Sequence, residues 1–326
     1  MANSFEIEIK SSTISLKKLE GSFLLKQIKE FPLIGIGENP HHTKEYYFIY
    51  KQIIEDSVIN QNNKTLVLME LDFLLNKPLQ MFLNDDLLEK AEIDSFINLT
   101  FNDSSTKIFW GPEQYEFFKF FKNLYTSNKS LLNIRFIHPS LKYTSKLCKY
   151  YNLSLLDKIN EIYKHKIDTK EFKELREEFM FLESIQFVKN FTADKVIFIL
   201  GSSHLHNKVS FDEDENNAID SVFIRVKNQI QSPSIRICLF PISGKYSLFK
   251  RNSNNQVERV LADYAKLPIW NVTREKFRKA LEELDGHTFI TDIKQLNSIG
   301  IDDEIFTEWI SNSDFIISQK NVTPDV

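Results

Sequence analysis

The sequence predicts an α/β protein with a central, mostly parallel sheet flanked by helices. Three observations carry this: short apolar runs alternate with longer amphipathic segments, several of those segments begin at readable helix caps, and ionisable residues gather just after the apolar runs. The runs Leu33 to Ile36, Thr65 to Met69, Ile134 to Ile137, Val196 to Leu200 and Ile235 to Phe240 are the expected strands.

Between them, Thr43 is placed to cap a helix whose inner face is Tyr46, Ile49, Tyr50 and Ile53, at the three- and four-residue spacing of a buried stripe. Pro112 suits the first position of a helix carrying Tyr115, Phe118, Phe121 and Tyr125 on one side. Thr169 caps a long helix with Phe172, Leu175, Phe179 and Leu182 in line, and a further helix is expected from Thr273. Residues 71–109 carry helical pattern without a clear strand, which suggests a helical cap inserted over the sheet. With no repeat or low-complexity linker, residues 1–318 read as one domain, and 319–326 as a flexible tail.

The chain of 326 residues is long enough for a substantial core, and its 42% hydrophobic and 26% charged residues are ordinary for a globular protein. Because 41 Lys and Arg nearly balance 45 Asp and Glu, no global field favours nucleic acid or an acidic membrane. The 28 Phe residues read as compositional bias. Cys148 and Cys238 form neither a disulfide framework nor a CxxC pair, and no secretory h-region or membrane span is visible, so a reducing, cytoplasmic setting is expected.

Ligands of open α/β sheets bind beyond the carboxyl ends of the strands, so the residues after each apolar run matter most. They are Gly37-Glu38-Asn39-Pro40-His41-His42, then Glu70, then His138, then Gly201-Ser202-Ser203-His204-Leu205-His206. Five of the seven histidines sit at strand ends, and only His165 and His287 lie elsewhere. A carboxylate beside an imidazole fixes its tautomer and raises its basicity, the arrangement needed to take a proton from water. Glu38, His41, Glu70 and His204 should therefore line one site. Gly35, Gly37 and Gly201 would let the backbone turn or approach a ligand closely.

These residues resemble the erythromycin esterase and ChaN-like group. LIGIGENPHH (33–42) resembles its G-E-x-x-H strand end, VLME (67–70) its second strand ending in Glu, and FILGSSHLH (198–206) its later glycine and histidine motif. Arg176 and Met180 resemble an Arg-x-x-x-Met pattern placed between them. The chain departs from that pattern at His42, where Gly is usual, at Glu183, where Asn is common, and near His138, where an Asp often follows the strand.

The resemblance implies a hydrolase cleaving an ester or related bond in a small or medium-sized molecule with activated water, a small-molecule substrate being the expected partner: His41 as general base oriented by Glu38, Glu70 and His204 positioning substrate or meeting developing charge, and Arg176 and His138 binding substrate, Arg176 by anchoring an anion. No Gly-x-Ser-x-Gly elbow is present, which argues against an acyl-serine route. The alternative is a haem- or metal-binding protein, or a metal-dependent enzyme, with His41, His42, His204, His206, Glu38 and Glu70 as donors for Zn, Mn or Fe.

Overall fold

Runs such as Thr65–Asp72 and Lys195–Gly201 carry β-branched and other apolar side chains at nearly every position, and both become strands buried along their apolar length. The computed structural model describes residues 9–16, 23–38, 43–84, 112–139, 150–166, 169–209, 218–251, 257–263, 272–296 and 312–323. In chain order these form β1 (Thr13–Leu16), α1 (Phe23–Lys29), β2 (Leu33–Glu38), α2 (Lys44–Glu55), β3 (Thr65–Asp72), α3 (Asn76–Leu83), α4 (Pro112–Ser127) and β4 (Leu132–His138). There follow α5 (Leu153–Tyr163), α6 (Lys170–Phe191), β5 (Lys195–Gly201), β6 (Lys208–Val209), β7 (Ile219–Asp220), α7 (Val222–Ile230) and β8 (Ser234–Pro241). The last are β9 (Lys245–Arg251), β10 (Val257–Asp263), α8 (Val272–Glu282), β11 (Thr288–Asp292), α9 (Ile293–Leu296) and β12 (Phe315–Gln319).

Eight strands form one sheet in the order β1-β11-β12-β8-β2-β5-β3-β4. From β12 to β4 every neighbouring pair is parallel, and at the other edge β11 alone is reversed, pairing antiparallel with both β12 and β1. Strand alternation sends Ile34, Ile36, Val67, Ile197, Ile199, Ile235 and Ile237 to a face covered by α1, α2, α4 and α5. Leu33, Leu66, Leu68, Val196, Phe198 and Leu200 face Met180 of α6 and Val222, Phe223 and Val226 of α7. Among the described residues no helix is long and apolar enough to cross a membrane.

All five expected strands form, each extended by one to three residues at one end or both. The antiparallel flank escaped the sequence pattern because β1 and β11 are short and mix Thr with apolar residues. The antiparallel pair β9 and β10 was not visible in the sequence pattern either; residues 252–256 between them lie outside the described residues. Thr169 caps α6 as expected, its side chain accepting from the Phe172 amide. Thr43 stands at the N-cap of α2 without a side-chain cap bond.

The expected apolar line of α6 needs correction. Leu182 is 50% exposed, and the buried positions are Phe172, Glu177, Phe179, Met180 and Ser184. Of the expected helical insertion, the described part is a short turn at Phe73–Leu75 followed by α3, and residues 85–109 lie outside the described residues. Asn76 of α3 caps the edge of the sheet: its side-chain amide donates to the Phe136 carbonyl at 2.7 Å and accepts from the Phe136 N–H at 2.8 Å. This occupies backbone groups that edge strand β4 would otherwise leave unpaired.

The expected flexible tail also needs correction as far as Thr323. Gln319 completes β12, the Lys320 amide donates to the His287 carbonyl, and Val322 bridges Gly244. Thr323 donates from its amide and hydroxyl to the two Glu45 oxygens at 2.9 and 2.7 Å, while its carbonyl accepts from the Lys44 amide at 3.0 Å. The N-terminus of α2 is thereby tied down; residues 324–326 lie outside the described residues.

The close approach that glycine permits at the end of β2 is made by the protein itself. A Cβ at residue 37 would lie 3.0 Å from Ser202 Cα and 3.0 Å from Leu205 Cδ1. The turn Ser202–Leu205 thus packs directly on β2. Gly37→Ala should push that turn outward and lower unfolding stability by about 1–3 kcal/mol, as overpacking does; denaturant titration with an unchanged midpoint would contradict this packing.

Candidate active site

Four adjacent parallel strands end at one edge of the sheet, and each brings an ionisable residue there. In spatial order they are β2 with Glu38, β5 leading into His204, β3 with Glu70 and β4 with His138. Glu38 is the register partner of Gly201 on β5. The β3 to β4 register shifts between Met69 and Asp72, so Glu70 sits in an irregular stretch and its carboxylate reaches across to β5. There Oε2 accepts the Gly201 N–H at 2.6 Å.

His204 lies on the turn after β5 and is only 3% exposed. Its Nε2 is 3.0 Å from Glu70 Oε1, and its Nδ1 is 2.5 Å from Glu177 Oε1. The second is a close ion-pair contact whose angle falls outside ordinary hydrogen-bond geometry. Glu177 reaches in from α6 and is fully buried; its Oε2 accepts the Val222 N–H at 2.9 Å, at the first turn of α7. A helix N-terminus favours the charged carboxylate there.

Burial alone would lower the His204 pKa, but the Glu177 and Glu70 charges outweigh it and raise it to about 10. Burial of Glu177 favours its neutral acid, and the His204 charge and contact, with Arg176 and the Val222 amide, reverse that and hold its pKa below the usual value. The array is therefore carboxylate, imidazolium, carboxylate at neutral pH. His138 goes the other way: burial lowers its pKa to about 4, the pull of Glu70 being countered by the Arg176 and His204 charges. At neutral pH one edge of the sheet thus holds a charged and a neutral imidazole.

Glu38 accepts a 2.5 Å hydrogen bond from the Tyr50 hydroxyl on α2. Burial and then the Glu38 charge raise the Tyr50 pKa well above its ordinary value, so the phenol stays a donor. Arg176, one residue before Glu177, keeps its side chain 20% exposed with Nη2 3.6 Å from Glu177 Oε1.

Of the residues expected from sequence, Glu38, Glu70, His138 and His204 stand at this edge, and the charge of Arg176 acts on both His138 and Glu177. The expected base His41 and its neighbour His42 lie outside the described residues. His206 is half-buried just past the turn, its amide donating to the Ser203 carbonyl at 3.3 Å. His287 is exposed beside β11, and His165 follows α5.

Both nitrogens of His204 face carboxylates, an arrangement that turns neither of them toward a metal. Among the described residues no three His, Cys, Asp or Glu side chains form a group that could hold a metal ion.

Sequence reasoning missed Glu177 and Tyr50. Glu177 had a signal: with Met180 and Ser184 it falls on one line of α6 at three- and four-residue spacing, an acid on a stripe that is otherwise apolar or small. Tyr50 read correctly as a buried position, and nothing in the spacing revealed that its hydroxyl would meet Glu38.

The opposed imidazoles are measurable. Side-chain NMR titration of the seven histidines should find one ring protonated up to about pH 10 and lost in His204→Gln, and one neutral down to about pH 4 and lost in His138→Gln. Relative to an unfolded imidazole near 6.5, the raised His204 pKa contributes stability that is full below about pH 6.5 and lost as pH rises through about 10. A His204 ring titrating near 6.5 would refute the carboxylate clamp.

No family model matches the chain, and no curated protein matches it. Solved structures do. A protein from Bacillus cereus superposes with a TM-score of 0.68 at 10% identity, covering 99% of this chain and 98% of that one. A succinoglycan biosynthesis protein gives 0.64 at 12%, covering 98% and 97%. A mutant erythromycin esterase in its open conformation gives 0.61 at 10%, covering 95% of each chain. The fold that the three sequence motifs implied is the fold found: this chain folds as an erythromycin esterase does.

Proposed function

We propose that the chain is a hydrolase that cleaves an ester or related bond in a small or medium-sized molecule by direct attack of activated water. The observation that carries this reading is the buried array of Glu70, His204 and Glu177 at the carboxyl edge of the sheet. Ionised groups taken out of water cost on the order of several kcal/mol each, and apolar side chains would fill the same space more cheaply. Such arrays collect where charge changes during a reaction. The shared fold adds the reaction class, since one protein that has it is named as an esterase.

His204 already holds its proton, so the role of base falls to His41, oriented by the adjacent strand-end carboxylate Glu38. Water attacks the carbonyl carbon while His41 takes its proton, and negative charge develops on the carbonyl oxygen. The positive charge of Arg176 favours that charge, and His204 offsets part of the repulsion from Glu70 and Glu177. Collapse of the intermediate expels the alkoxide, which receives the proton from His41; the products are an acid and an alcohol. Glu70 and Glu177 hold His204 charged and in place, and Tyr50 does the same for the orientation of Glu38.

The test is turnover by the purified chain on a panel of esters that includes erythromycin, with and without chelator. His41→Ala should keep the fold and lower turnover by roughly two to four orders of magnitude. Because the base must be neutral and Glu38 favours its protonated form, activity should fall as pH drops through a pKa at or above about 6.5. Near-normal turnover in His41→Ala would refute the base assignment, and a chain that hydrolyses no ester would refute the function.

A further inference from the structure

The turn Ser202–Leu205 that carries His204 is fixed at both ends by groups outside it. At its start the Gly201 N–H donates to Glu70 Oε2 at 2.6 Å. Beyond it the chain does not continue away from the sheet but doubles back along the face of β2. Ser202 lies over Gly37, and Leu205, only 3% exposed, lies over both Gly37 and Gly35: a Cβ at residue 35 would stand 2.8 Å from Leu205 Cδ2. The residue level with Gly35 on the neighbouring strand β8 is Arg236.

Arg236 closes on the returning chain. Its Nη1 donates to Asn207 Oδ1 at 2.9 Å and lies 3.3 Å from Asn312 Oδ1 and 3.4 Å from the Leu205 carbonyl oxygen. Asn312, buried just before β12, accepts the Asn207 N–H at 2.6 Å through the same Oδ1. Residues 205–207 are thus tied to β8 and to the approach to β12 by one closed set of bonds. The clamp is itself anchored, because the Arg236 N–H donates to Asp314 Oδ2 at 2.8 Å and the Arg236 carbonyl accepts the Asp314 N–H at 2.8 Å. Burial lowers the Arg236 pKa and Asp314 raises it; a guanidinium stays charged throughout, so its bonds are of the stronger, charge-assisted kind.

The His204 ring must face a carboxylate of β3 and a carboxylate of α6 at once, at 3.0 Å and 2.5 Å. A four-residue turn hinged at Gly201 alone would let the ring swing out of that line and lose both partners. We infer that Arg236 is a positioning residue of this site: through Leu205 and Asn207 it fixes the far end of the turn and so keeps His204 between Glu70 and Glu177. The inference rests on the hydrolase reading only for what the site does, since the geometry that Arg236 secures needs no substrate. Three acceptors converge on one nitrogen of Arg236, so the position calls for a point of positive charge rather than a planar fork. The three donors of a lysine ammonium suit it.

The test is exchange of the His204 ring N–H protons with water, followed by nitrogen-edited NMR of the full chain at neutral pH and assigned with His204→Gln. An imidazolium held between two carboxylates keeps these protons protected. Arg236→Gln should speed their exchange about ten- to hundredfold, the range open to loss of a hydrogen bond to a charged group. Arg236→Lys should restore most of the protection. Lys320→Met, which removes bonds to the Glu282 and Leu284 carbonyls at the end of α8, should lower stability without changing the exchange. Asn207 is exposed, so Asn207→Ala keeps the fold, and it should speed exchange to a lesser degree; this decides the matter if Arg236→Gln fails to fold. Equal exchange in the wild type and Arg236→Gln, or in the wild type and Asn207→Ala where only that variant folds, would overturn the inference. Acceleration by Lys320→Met as large as by Arg236→Gln, or no rescue by Arg236→Lys, would overturn it too, leaving Arg236 as general support of the fold. Faster exchange in Arg236→Gln of a chain that cleaves no ester would leave the positioning role standing and sink the hydrolase reading. Ester cleavage with exchange unmoved would do the reverse.

Discussion

An imidazolium sealed between two carboxylates is the constraint on which the rest of this structure turns. His204 comes from the turn after β5, Glu70 from β3, and Glu177 from α6, while the second oxygen of Glu177 holds the start of α7. Four elements from both halves of the chain thus meet through one ring. None of the three charges is tolerable alone at that depth, and a buried pair that loses one partner typically costs about 3–5 kcal/mol. The proton on His204 is therefore as much a part of the architecture as any side chain in the core.

The same edge shows how position within a sheet sets chemistry. His138 and His204 follow strands separated only by β3, yet one is charged and the other neutral. What differs is the company: His204 has a carboxylate at each nitrogen, whereas His138 feels the positive charges of Arg176 and His204 as well as Glu70. Glu38 stands opposite Gly201 in the β2 to β5 register and takes a tyrosine as donor.

Much of this was legible in the sequence. The parallel core was, because strands covered on both faces must be apolar along their length, and the strand-end residues were, because that edge is where loops and helix starts converge. The antiparallel flank was not: β1 and β11 are four and five residues long, and they are defined by long-range pairing rather than by local pattern. Glu177 hid in the middle of a helix, where a carboxylate usually means a solvated face. The tail from Gln319 to Thr323 looked loose because its partners, Ser243, Gly244, His287 and Glu45, are far away along the chain.

That tie has a consequence for how the molecule is made. Helix α2 follows directly on the Glu38 to His42 segment and carries the tyrosine that holds Glu38, yet its own N-terminus is fastened by Thr323, 278 positions later than Glu45. Strand β1 likewise waits for β11, with Thr13 opposite Thr291. On the ribosome, then, the glutamate loop emerges early but cannot be closed off until nearly the whole of the described chain has appeared. Pairing across such distances is slow, because the loop-closure entropy must be met before the contacts form. A nascent chain stalled short of β12 would carry every group of the Glu70, His204 and Glu177 array and still leave the start of α2 unanchored.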